Sequence, residues 1–188
     1  MKTAKDAFQR LVDELTAGEL PVKSLPPVEA WTPPLSGRMD LVIRRDGSWV
    51  HEGSVFQRQP LVKLFASILK REGDDYFLVT PVEKWQITVE DAPLLVTSCQ
   101  IDSYQGNQSI VMTTFTDDIV LVSEKNPIRV VINRQSNEPS PYLLVRRNLE
   151  AKISRSVYYQ LSELATEVSV EGEQRYSVTS MGCEFLIG

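Results

Sequence analysis

From residue 76 to residue 133 the chain is built of short β-rich runs, each closed by a turn signal, and this spacing limits the fold more than any other feature. The runs are Tyr76 to Thr80, Lys84 to Val89, Leu94 to Ile101, Ser109 to Phe115, Ile119 to Ser123 and Ile128 to Asn133. Pro81, Asp91 to Pro93, Gly106-Asn107, Asp117-Asp118 and Asn126-Pro127 separate them. No gap is long enough for a crossover helix, so consecutive runs predict an antiparallel meander.

Helical periodicity brackets the meander. Pro60 suits a first helical turn, and Leu61, Leu64, Phe65, Ile68 and Leu69 form an apolar stripe that ends near Gly73. Upstream, Asp46-Gly47 joins two β-rich runs and predicts a two-residue type I′ hairpin. That turn sets Arg44 opposite Trp49 and Val42 opposite His51, which puts Val42, Arg44, Trp49 and His51 on one face. Beyond the meander, Tyr142 to Arg147 reads as a strand. Val157, Leu161, Leu164, Ala165 and Val168 then read as a second helical stripe, followed by Tyr176 to Thr179 and the apolar Phe185-Leu186-Ile187.

The two halves echo each other. Leu41-Val42-Ile43-Arg44-Arg45-Asp46 matches Leu143-Leu144-Val145-Arg146-Arg147-Asn148 in character, 102 residues apart, and Ser54-Val55-Phe56 matches Ser156-Val157-Tyr158 at the same offset. Each block leads into an amphipathic helix and then Glu-Gly, which predicts two copies of a hairpin–helix–strand module. Trp49 and His51 correspond to Ala151 and Ile153, so a site built on them exists once. The expected organisation is a helical arm over 1–20 (Phe8, Leu11, Val12 and Leu15 on one face) and a proline-rich strap over 21–37 anchored by Trp31. A first α+β module over 38–83 and a second, β-rich module over 84–188 follow, the second with a helix near 154–167.

With 188 residues, 42% of them hydrophobic, the chain can bury a real core. A net charge of −5 opposes generic binding to nucleic acid or anionic membrane, which need a positive field. The charged N-terminus lacks the pattern of a signal peptide and no stretch approaches a membrane span, so the expected compartment is cytoplasmic. There Cys99 and Cys183 are expected to be reduced thiols packed as small hydrophobes, with a redox role for Cys183 as the alternative.

Several blocks together resemble a bacterial family, domain-of-unknown-function family 1285. They are Trp49-Val50-His51-Glu52-Gly53, Leu64-Phe65 through Arg71-Glu72-Gly73-Asp74, Leu78-Val79-Thr80-Pro81-Val82-Glu83-Lys84 and Val89-Glu90-Asp91-Ala92-Pro93. Pro141-Tyr142, Arg146, Leu149-Glu150-Ala151 and Arg155 fit as well. One departure stands at residues 54–57, which read Ser-Val-Phe-Gln where the family pattern is closer to Ser-Pro-Ile-Gly. The resemblance implies a two-module α+β protein with a duplicated core and a C-terminal module superficially like a pleckstrin-homology fold. It also implies ligand sensing in signal transduction, with a nucleotide-like ligand between the modules, and it carries over no catalytic residue.

The residues themselves agree with a non-enzymatic role. There is no phosphate-binding glycine loop, no nucleophile elbow and no paired Cys-x-x-Cys, so no cofactor or metal is expected. His51-Glu52 is the one histidine–carboxylate pair, but neighbours on a strand point to opposite faces. His51 is read as a satisfied structural histidine, then as a ligand contact, and last as a general base, the enzyme reading ranking third. The candidate ligand set is Arg44, Trp49 and His51 with Arg146 and Arg155: guanidinium forks for an anion and an aromatic plane for a ring. Glu52, Arg71, Glu83, Lys84, Asp91 and Glu150 form a secondary set, read as intermodule ion pairs or turn contacts with ligand binding second. The expectation is a ligand-sensing or signalling accessory protein holding a small, anionic, nucleotide-like molecule; the alternative is a protein-interaction scaffold with no small-molecule ligand.

Overall fold

The computed structural model describes residues 25–104, 106–133, 135–136 and 138–188. The helical arm over 1–20 and the first part of the strap lie outside the described residues. The chain divides into two units, residues 1–91 and 92–188.

The first described element of this unit is a short 3-10 helix, Val28–Ala30, within the span read as the strap. Val28 is its buried anchor; Trp31 is half-buried and its carbonyl accepts a hydrogen bond from Lys70 Nζ at 3.3 Å. Strands β1 (Leu35–Ile43), β2 (Trp49–His51) and β3 (Ser54–Val55) lead into helix α1 (Gln59–Ser67). Strands β4 (Leu69–Glu72), β5 (Asp75–Val79) and β6 (Lys84–Val89) follow. One sheet holds them all in the order β3-β2-β1-β6-β5-β4, antiparallel except where β1 meets β6. Phe65 of α1 stacks on Trp49 and is buried, as are Leu41, Ile43, Leu69 and Leu78 of this unit's core. At Gly37, with φ +145°, the backbone passes the Trp85 ring so closely that a Cβ would lie 3.1 Å from it.

Three expectations change here. Helix α1 stops at Ser67, not near Gly73. Leu69 to Glu72 leaves it as a strand, because pairing with Tyr76, Phe77 and Leu78 satisfies its backbone while keeping Leu69 buried. The β1–β2 connection is a three-residue loop rather than a type I′ turn: Arg44 N–H donates to the Ser48 carbonyl, and Gly47 alone takes a positive φ, +84°. Asp46 Oδ1 accepts from both the amide and the hydroxyl of Ser48, at 2.9 and 2.6 Å, which favours the wider loop. Those same bonds hold the Asp46 carboxyl below its ordinary pKa. Finally, β6 belongs to the first unit's sheet, so the division falls after Asp91 rather than after Glu83.

The second unit runs through β7 (Leu94–Tyr104), β8 (Asn107–Thr114), β9 (Ile119–Leu121), β10 (Ile128–Ile132), β11 (Pro139–Arg146) and β12 (Leu149–Ile153). Helix α2 (Arg155–Glu163) then precedes β13 (Thr166–Val170), β14 (Glu173–Ser180) and β15 (Cys183–Leu186). The first six strands form a sheet ordered β10-β11-β12-β7-β8-β9, and the last three form their own sheet. Val157 and Leu161 of α2 enter a core with Val96, Ile110, Met112, Leu143, Leu149 and Ile153. Buried Ser180 joins the sheets: its hydroxyl donates to the Val122 carbonyl at 2.7 Å and accepts from the Ile110 amide at 3.0 Å.

The predicted architecture is present: a β-rich α+β chain of two units sharing one succession. In each, a hairpin (β1/β2, β11/β12) leads to a nine-residue helix, a second hairpin (β4/β5, β13/β14) and a third strand (β6, β15). The ending differs. In the first unit β6 returns to pair with β1, whereas in the second the equivalent edge of β11 is already taken by β10. Strand β15 is therefore left in the separate three-stranded sheet, beside β10 but not hydrogen-bonded to it. As with α1, the second helix ends early, at Glu163, and Thr166 to Val170 pairs as a strand.

Candidate functional site

In the first unit, the wider loop shifts the register by one residue from the predicted one. Ile43 faces Trp49 and Leu41 faces His51, so alternation puts Trp49 and His51 on the core face and Arg44 on the other. The expected shared face of Arg44, Trp49 and His51 does not form. Trp49, 3% exposed, stacks on Phe65 at 6.5 Å; Phe65 stacks on Phe56 at 5.8 Å, and Phe56 on His51 at 6.3 Å. This ladder uses the tryptophan plane and one face of the imidazole for packing.

Glu52 and Gly53 form the type I′ turn between β2 and β3, with φ of +47° and +76°. The His-Glu-Gly block is thus a turn signal, and exposed Glu52 is there for its backbone. The Thr-Pro-Val-Glu block is a turn too: Thr80 Oγ1 accepts the Glu83 amide at 3.0 Å, and the Thr80 amide donates to the Glu83 carbonyl at 2.9 Å. Glu83 Oε2 accepts from Trp85 Nε1 at 3.1 Å. Lys84 Nζ sits 2.5 Å from Glu72 Oε2 and 4.5 Å from the Phe77 ring, and Lys70 adds a second cation 3.4 Å from the same carboxylate. The Lys84 bond holds Glu72 below the ordinary glutamate pKa. Arg71 lies 5.6 Å from the Tyr76 ring centroid and donates to the Gly73 carbonyl; Asp91 ends the unit half-buried.

In the second unit, Arg146 pairs with Asp118, and both side chains are nearly enclosed, at 11% and 14% exposure. Asp118 Oδ2 also accepts from the hydroxyls of Thr114 and Thr116, at 3.0 and 2.7 Å, so this arginine closes a polar network at the β8–β9 turn. Glu150 takes a two-pronged bond from Arg129, at 2.5 and 2.7 Å, and Arg129 lies 4.4 Å over Tyr142. Arg155 is exposed at the start of α2. The five principal candidates are divided between the units, three in the first and two in the second.

A concave site that sequence reasoning missed lies within the second unit, between β10 and β15. It is a cleft of about 370 Å³ whose apolar lining is Ile128, Val130, Ile132, Phe185 and Leu186. Arg129, Arg175 and Glu184 also line it. Arg175 is bound at 2.6 Å to Glu173, an exposed pair that water screens. Ile128 to Asn133 was legible as a strand and Phe185 to Ile187 only as an apolar run; that two sheet edges would meet there was not legible. Among the described residues no cluster of His, Cys, Asp or Glu could hold a metal, and no helix is long and apolar enough to cross a membrane. Both cysteines are free and half-buried, and burial raises the Cys99 pKa.

Two family models cover the described units in order. Residues 26–92 match the N-terminal domain, and residues 93–187 the C-terminal domain, of a domain of unknown function, DUF1285. A crystal structure of a DUF1285 family protein from Silicibacter pomeroyi DSS-3 is 37% identical, with a TM-score of 0.83 over 94% of this chain and 93% of that one. A second, from Shewanella baltica OS155, is 30% identical with a TM-score of 0.53, covering 66% of this chain and 91% of that one. No curated protein matches the chain.

Proposed function

Since the chain belongs to the DUF1285 family, whose function is unknown, we propose from its own geometry that it is a non-enzymatic, ligand-sensing accessory protein of a signalling kind. The observation that carries this reading is the β10–β15 cleft: an apolar lining that also holds Arg175, whose exposed pair with Glu173 a ligand anion can replace, suits a ligand that joins an anionic group to an apolar body. Its volume lies in the lower part of the usual ligand-pocket range of about 300–1,000 Å³. The cleft, rather than the Arg44–Trp49–His51 set, is where we place the ligand, because Trp49 is committed to the core. Nucleotides, with an anionic group on a flat ring, remain within the chemistry this site accepts. The reading also places the protein in the cytoplasm, in keeping with its two free thiols.

A thermal-shift screen of the full chain against nucleotides, organic phosphates and apolar carboxylates tests the reading. A ligand of the native state, present at a hundred times its Kd, adds about 2.7 kcal/mol of stability. At least one anionic–apolar compound is expected to stabilise the protein, and Arg175→Ala is expected to weaken that compound by about 1.5–3 kcal/mol. A screen without hits, or hits indifferent to Arg175→Ala, rejects it.

A second reading, a protein-interaction scaffold, draws on β9. That sheet-edge strand leaves Ile119 75% exposed and Leu121 38% exposed, an apolar pair suited to a protein partner.

A further inference from the structure

We infer that β9 is a self-association edge, along which a second copy of the chain pairs its own β9 antiparallel about a two-fold axis at Val120. This names the partner for the scaffold reading of β9 and rests on that reading.

Sheet edges are normally blunted by charge, because a row of free amides and carbonyls is a template for any other strand. The edges β4, β10, β13 and β15 follow that rule, carrying in turn Lys70, Arg71 and Glu72, then Arg129, Glu167 and Glu184. Strand β9, Ile-Val-Leu, carries no charge. Ile119, at 75%, is the most exposed large hydrophobic side chain among the described residues, and Leu121 beside it is exposed as well. The turn leading into the strand is tied down, since Asp118 is held by Arg146 and by the hydroxyls of Thr114 and Thr116. The edge is thus ordered before a partner arrives, which lowers the entropy lost on pairing.

The hydrogen-bond phase shows which peptide groups are left over. The Thr114 amide donates to the Asp118 carbonyl and the Val122 amide to the Ile110 carbonyl, both at 2.9 Å. Residues 118, 120 and 122 therefore face β8. Ile119 and Leu121 point their amides and carbonyls out of the sheet.

Those two positions make the strand complementary to itself. One antiparallel register uses both of them on both copies: Ile119 against the second copy's Leu121, and Leu121 against its Ile119, with four backbone hydrogen bonds. Registers centred on Ile119 or on Leu121 pair only one position within the strand. Side chains agree with the first register. Each isoleucine lies across from a leucine, an apolar cross-strand pair repeated by the two-fold axis. Beyond the strand, Asp117 comes opposite Ser123 and Glu124 opposite Thr116, so no like charges oppose each other. Such an isologous pair closes at two copies instead of growing into a fibre. A three-residue strand is a small contact beside the roughly 1,200–2,000 Å² of a stable interface, so the dimer is a weak one.

Sedimentation equilibrium of the full chain, run up to about 1 mM, is expected to show a reversible monomer–dimer equilibrium. Ile119→Lys and Leu121→Lys place a charge on exposed sites that the fold tolerates. Each is expected to weaken the dimer at least about tenfold, while Val131→Lys, on exposed Val131 of β10, changes it less than about twofold. In a dimer of mixed isotope labelling, the strongest amide contacts between copies are expected to join Ile119 to Leu121. A monomer at the highest concentration, a dimer indifferent to Ile119→Lys, or one in which Ile119 meets its own counterpart most closely, overturns the inference. If the monomer's Ile119 and Leu121 amides still shift with an unrelated threonine–valine peptide, β9 remains a protein-binding edge and the scaffold reading survives; with no shift, both fall.

Discussion

At the residue scale, the blocks that carry the family resemblance are mostly instructions for the backbone. Glu52 and Gly53 occupy the two left-handed positions of a type I′ turn, and only glycine, asparagine or aspartate take such positions without strain. Glu52→Asn is therefore expected to stabilise the protein by about 0.5–1 kcal/mol in urea unfolding. A loss of stability would mean that the glutamate side chain has work the turn does not explain. Glu72 makes a different prediction, through pH. Its bond to Lys84 lowers the folded pKa, so its contribution exists above the ordinary glutamate value of about 4.3 and fades as pH falls through the lower folded value. The side chain is 40% exposed, so salt and water reduce the effect. Glu72→Gln is expected to cost about 0.3–1 kcal/mol at pH 7, with the gap from wild type closing below about pH 4. A gap that persists at pH 2.5 would place the loss in packing instead.

At the element scale, the runs of residues 76–133 were legible as strands because turn chemistry punctuates them, but they do not form one meander: β6 and β7 lie in different sheets, and β9 and β10 at opposite edges of the same one. The run Tyr76 to Thr80 became Asp75–Val79, and Lys84 to Val89 is Lys84–Val89 itself. The helices were legible in kind but not in length. Leu61, Leu64, Phe65, Ile68 and Leu69 keep a helical period, yet Leu69 is buried from a strand that begins there. Thr166, Val168 and Val170 alternate and are β-branched, a strand signal hidden beneath the longer helical stripe. What no local pattern carries is the partner of each edge. Ser180 shows this: nothing near it in sequence says that its hydroxyl bonds Ile110 and Val122, about 60 to 70 residues away. Ser180→Ala would leave a buried amide and a buried carbonyl short of a partner, at a cost of about 1–3 kcal/mol measured by urea unfolding. No change in stability would show that this bridge does not hold the two sheets together.

At the scale of the whole molecule, duplication was legible and its consequence was not. The matched blocks at an offset of 102 residues predicted a repeated module, and both units contain it. The candidate site was read from the same blocks, and there the expected shared face does not form, because a loop wider by one residue reverses which face each side chain takes. Arg44 left the face of Trp49, and Trp49 joined the core. The cleft appears instead where the two copies differ, at the strand pairing completed in the first unit and left open in the second. The account stands on that cleft being a binding site, and 15N amide mapping of the full chain with the best anionic ligand tests it most directly. The prediction is a set of shifts centred on residues 128–132 and 184–186 and abolished by Arg175→Glu; shifts centred on Arg44, Trp49 and His51 that survive the substitution would contradict it.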